Sequence, residues 1–221
     1  LQQRVWEFDP DIVLLAFTTG NDVKGNSKEL SQGKDQPYMQ KRGSELIPDF
    51  TFRDSDNYKS QNSASVRAIH AIVNRSRVAQ VLNRARVRLR SSPTPIGTDR
   101  DQYGAEIGLD SEIYSPPLTP DWVTAWGVTT EVLNMMKRNS VAHDATFLMA
   151  VVSNGIQVHP DSSVRSSFAK QLQVRDLLYP NRRIVQIGEH LGIDTLSLVE
   201  PLLKYAEENE AYLHGFDENL G

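Results

Sequence analysis

One stretch of this sequence places an amide where it could do chemistry. The residues are Thr18-Thr19-Gly20-Asn21-Asp22, which follow the apolar run Asp11-Ile12-Val13-Leu14-Leu15-Ala16-Phe17. Gly20 lets the backbone turn sharply, and Asn21 then presents a side-chain N–H at the end of the run. A fixed donor of that kind steadies negative charge on an acyl oxygen, and one is worth roughly 3–4 kcal/mol of transition-state stabilisation. Asp22 can hold the loop by accepting backbone N–H bonds. Gly-Asn-Asp also suits an ordinary turn with no chemistry attached, and spacing alone leaves both readings open. Two further loops have the same relation to an apolar stretch. Ser153-Asn154-Gly155 follows Ala145–Val152, and His214-Gly215-Phe216-Asp217 follows Ala211-Tyr212-Leu213. In open α/β sheets the loops at the carboxyl ends of the strands converge on one crevice. His214 is therefore the best base the chain offers, although a packing or surface histidine fits the same position.

Other chemistries find no support. His70, His143, His159, His190 and His214 include no pair at metal-ligand spacing with a carboxylate, and His-Glu-x-x-His is absent. The sequence has no cysteine, which removes disulfides, thiolate zinc, iron–sulfur clusters and a cysteine nucleophile. It also lacks a phosphate loop, a dinucleotide fingerprint and a Gly-x-Ser-x-Gly elbow. Neither a cofactor nor a metal is called for.

The elements that must position these loops alternate between strand and helix. Asp11–Phe17 and Ala145–Val152 are apolar throughout, which suits strands buried on both faces of a parallel sheet. A helix over 64–89 follows from the spacing of Val66, Ile69, Ile72, Val73, Val78, Val81, Leu82, Ala85 and Leu89. Thr119-Pro120-Asp121 opens another, running through Trp122, Trp126, Leu133 and Met136. Trp122 and Trp126 share a face, as core packing requires; a sugar-stacking platform is the minor alternative. A short helix over 163–172, a helix or strand-and-helix within 181–191, a helix over 195–206 and a third strand at 211–213 complete the list. Stretches 24–62 and 91–119 read as long insertions or loops, the first with a hairpin around Glu45 to Phe52. The pattern is α/β with a parallel sheet, in a single domain over 1–221.

Composition sets bounds on partners. The 221 residues are 39% hydrophobic and 24% charged, enough to bury a core, and their net charge is -4. That acidity argues against a protein built on nucleic-acid binding. No apolar stretch reaches the length of about 18 residues that a membrane span needs. Seven arginines and no acid lie between Val66 and Thr98. A basic amphipathic helix with Arg75, Arg84, Arg86, Arg88 and Arg90 could contact an anionic membrane surface. A solvated helix face is the plainer reading, and no aromatic residue is interleaved there to stack on bases.

Asp9-Pro10, the buried run and the Asn-Asp step together resemble the third sequence block of the SGNH/GDSL hydrolases. In that family the block reads Gly-x-Asn-Asp; here Thr19 takes the first position and Gly20 the second. The Thr-Gly-Asn-Asp variant, followed by Val23 and Asn26, looks like a bacterial subgroup, as do Pro37-Tyr38 and Tyr212-Leu213-His214-Gly215-Phe216. The resemblance implies a flavodoxin-like three-layer α/β/α sandwich and an ester hydrolase or acyltransferase with a serine nucleophile. Asn21 would match the oxyanion-hole residue, supported by Gly20 and Asp22. A secreted or periplasmic protein acting on an O-acetyl, lipid or carbohydrate ester would fit. The family's nucleophile lies in a Gly-Asp-Ser-like block upstream of Asn21, yet none of the 20 residues before Asn21 is serine. Its Asp-x-x-His pair has no counterpart, because Asp217 is followed three places on by Leu220. The expectation is a central fragment, with Leu1–Phe8 as the last turns of a helix, and with nucleophile and base outside it. The competing expectation is a non-catalytic α/β binding domain that uses its arginine-rich helix.

Overall fold

The apolar run after Pro10 forms the first strand of a parallel sheet. The computed structural model describes residues 4–31, 35–43, 45–64 and 110–214, with positions 66, 77 and 81 between them. The chain divides into two compact units, residues 1–32, 39–47 and 101–221 in one and residues 33–38 and 48–100 in the other. The first contains the sheet. β1 (Ile12–Thr18) leads directly into α1 (Thr19–Gly25). Further along the chain come α2 (Asp56–Gln61, in the second unit), α3 (Pro120–Val141), β4 (Thr146–Val152), α4 (Ser162–Gln171), α5 (Tyr179–Leu191), β5 (Asp194–Ser197) and α6 (Val199–Asn209). The intervening β2 (Tyr38–Arg42) and β3 (Glu45–Asp49) form a separate two-stranded sheet, with Gly43 at φ 65° between them.

Strand order is β1-β4-β5, and both pairings are parallel. Ile12 lies beside Thr146 and Thr18 beside Val152; Ala150 in turn lies beside Leu196. Val13, Leu15, Phe17, Phe147, Met149 and Val151 join one core with Trp122, Trp126 and Leu133 of α3 and Ile184 of α5. Both tryptophans are buried, so they pack the core. The local signals explain the helix ends. Thr119 accepts the Trp122 N–H, Pro120 opens α3, and Gly192 closes α5 at φ 62°. Asp161 caps α4, and the hydroxyl and N–H of Ser163 hold its carboxyl below the ordinary range.

Among the described residues, the opposite face of the sheet is largely uncovered along β1 and β5. Ile12, Leu14 and Leu196 are 57%, 63% and 61% exposed, and alternate residues of each strand share that face. The expectation of β1 buried on both faces is therefore corrected: its alternation is that of a strand covered on one side.

Four element assignments also change. Thr195–Ala206 is not one helix: β5 takes Asp194–Ser197, and α6 starts at Val199. Pro201 explains the boundary, since proline is tolerated in the first turn of a helix and breaks its interior. Residues 211–213 are not a strand; Glu210 adopts a left-handed conformation that ends α6, and the Ala211 N–H donates to the Ala206 carbonyl. The hairpin falls earlier than 45–52, pairing 38–42 with 45–49. A 3-10 turn occupies Val5–Phe8 where helical turns are expected.

In the second unit, Asp35 accepts from the Ser55 hydroxyl and from the Asn57 amide. Phe52 meets Tyr58 edge to face, and Arg53 lies over Phe50. Most of the arginine-rich stretch, including Arg75, Arg84, Arg86, Arg88 and Arg90, lies outside the described residues. No described helix is long and apolar enough to cross a membrane.

Candidate functional site

The parallel register brings the first two loops together. Thr18 pairs with Val152, so Thr19 and Ser153 leave adjacent strands at the same edge. The Asn154 amide spans the gap, with Nδ2 3.4 Å from Thr19 Oγ1 and 3.2 Å from Tyr114 Oη. The Thr-Gly-Asn-Asp segment is the first turn of α1 rather than an irregular loop. Gly20 is buried in that turn, and the described glycines with positive φ are Gly43 and Gly192. The sharp glycine turn expected at Gly20 is thus replaced by a direct strand-to-helix step. Asn21 is exposed at the carboxyl end of β1.

Asp22 fixes the step. Its Oδ2 accepts the Thr18 N–H at 2.7 Å, across the strand–helix junction. Burial pushes the Asp22 pKa above the ordinary carboxylate value, against the opposing pull of the Thr18 bond.

The second loop is built from buried polar groups. Ser153, Asn154, Gln157 and Asn181 are each about 1% exposed or less. Gln157 Oε1 accepts the Asn154 N–H at 2.7 Å, while its Nε2 donates to Leu177 O and to Asn181 Oδ1. Asn181 Nδ2 donates to Val152 O at the end of β4. Buried amides joined this way hold a loop in one conformation, because each broken bond would leave a desolvated group unpaired. Asn154 Oδ1 has no partner among the described residues.

His214 also reaches this edge, although its segment is not a strand. Its Nε2 is 3.1 Å from Ser153 Oγ. Ser153 is 1% exposed, so its hydroxyl is closed to a substrate; the contact positions the imidazole. Two residues earlier, the Tyr212 ring packs edge-on against His159, with centroids 5.3 Å apart. His143 stacks on Trp6 at 4.0 Å, and His190 is exposed on α5.

Asn21, Gly20, Asp22 and His214 therefore lie at the carboxyl end of the sheet, while Asp217 lies outside the described residues. Asn154, Gln157, Asn181 and Tyr114 were not assigned roles from the sequence. The signal available was Ser153-Asn154 directly after an apolar strand; nothing in the spacing marks Tyr114. Among the described residues no group of three or more His, Asp or Glu side chains is placed to hold a metal ion. Compared with protein-family models, curated proteins and solved structures, the chain shows no match in any of the three.

Proposed function

We propose that this chain is the central part of an SGNH-type serine esterase or acyltransferase. Its nucleophile and base would lie outside these 221 residues. The observation that carries the reading is the exposed Asn21 amide at the carboxyl end of β1, beside the loop that follows β4. In acyl transfer a serine attacks the ester carbonyl, a histidine takes the serine proton, and the carbonyl oxygen gains negative charge. Asn21 would donate to that oxygen. Asp22 would hold the turn, and the Asn154 amide would tie it to the neighbouring loop.

The uncovered apolar face supports the same reading. A flavodoxin-like three-layer sandwich needs helices over both sides of its sheet, and Ile12, Leu14 and Leu196 give the exposed side the apolar character a second layer covers. His214 is held by the buried Ser153 hydroxyl, and the base of this reading lies outside the chain.

The test is turnover of p-nitrophenyl acetate. The complete reading frame that carries this segment should hydrolyse it; the 221-residue chain should not. Turnover by the isolated chain, lost on changing one of its own serines, would overturn the assignment of the nucleophile.

A further inference from the structure

A groove of about 430 Å³ runs along α5, and none of the residues at the strand ends lines it. Its walls include Thr130 of α3 and Tyr179, Arg182, Arg183, Gln186 and His190 of α5. From Tyr179 to His190 a helix rises roughly 16 Å, so the groove is longer than a single phosphate. Among the described residues no carboxylate lines it.

Arg183 is its fixed point. The guanidinium lies 4.5 Å over the ring of the buried Trp126 and 6.0 Å from that of Tyr179. Its Nη1 donates to Tyr179 Oη at 2.5 Å. An arginine stacked on an aromatic face keeps its in-plane N–H groups for bidentate bonds to oxyanions, and its fork loses little further freedom on binding. Among the described residues Arg183 pairs with no carboxylate. Arg182 differs: it pairs with Asp176, which is not part of the groove wall. The local positive charge therefore rests on Arg183. Gln186 adds an amide N–H suited to a further oxygen of a bound group; the Thr130 hydroxyl already donates to the Trp126 carbonyl and shapes the wall.

We infer that this groove binds a small molecule bearing a phosphate group, with the phosphate on Arg183 and a polar body lying along α5 toward His190. The inference does not depend on the esterase reading, because the groove and the strand-end residues share no member.

Inorganic pyrophosphate is the probe, added to the 221-residue chain and followed by amide shifts in NMR. Saturable shifts should map to 179–190 and to the surroundings of Thr130. Arg183→Gln should weaken binding at least about tenfold, the loss expected for a charge-assisted contact. Because Arg183 also covers Trp126, a second variant is needed whose effect runs the other way. Asp176→Asn releases Arg182 and should tighten binding by about threefold, a gain that misfolding cannot produce. Three results would overturn the inference: no saturable shift at roughly ten times a millimolar Kd, shifts mapping elsewhere, or one affinity shared by parent and both variants.

Discussion

Asp22 sits where local structure and burial pull in opposite directions. Its carboxylate accepts the Thr18 N–H that fixes the strand–helix step, yet burial raises its pKa. A carboxyl whose pKa rises on folding contributes most to stability while protonated, below its unfolded value. That contribution is lost as the pH climbs through the folded value. At neutral pH the buried charge is thus a net burden that an amide would not carry. Asp22→Asn keeps an acceptor for Thr18 and should raise the melting temperature at pH 7. The difference from the parent should shrink as the pH is lowered below the ordinary carboxylate range. An equal difference at every pH would show that ionisation of Asp22 is not the cause, and a loss of stability at pH 7 would show that the charge itself holds the turn. The chemistry of this residue was legible in the sequence as an Asn-Asp step, but its burial depends on neighbours far along the chain. The Ser153–His214 contact was hidden for the same reason, as its partners are 61 positions apart.

Among the elements, the α5–β5 contact leaves little room. A methyl group added at Gly188 would clash with Thr195 Oγ1 and lie 3.1 Å from Thr195 Cβ and 3.3 Å from Met149 Cε. Overpacking of that kind costs about 1–3 kcal/mol, generally more than the roughly 1 kcal/mol alanine gains over glycine within a helix. Gly188→Ala should therefore lower the urea midpoint; an unchanged or higher midpoint would mean that β5 is not seated against α5 as described. Elements differed in how plainly the sequence announced them. β1, β4 and α3 were readable because each has a long apolar pattern with a sharp start, from Pro10, from Ala145 and from Thr119-Pro120. β5 was missed because four residues are too few for a period, and its apolar members run on into those of α6. Pro201 carried the missing boundary, since a helix starting at Thr195 would have placed proline in its interior.

At the scale of the whole molecule, the sheet of the first unit is covered on one side. The two faces should respond differently to the same kind of truncation. Met149 is 1% exposed and Leu14 is 63% exposed. Met149→Ala should cost about 2–5 kcal/mol, whereas Leu14→Ala should cost under about 1 kcal/mol. Equal losses in urea denaturation would show that Leu14 is covered in solution. The functional account rests on the amide at the sheet's edge, and it is tested most directly by Asn21→Ala in the complete reading frame, with kcat and KM for an ester substrate measured separately. Removal of one oxyanion donor should lower kcat about 10²–10³-fold and leave KM little changed. An unchanged kcat would contradict the account.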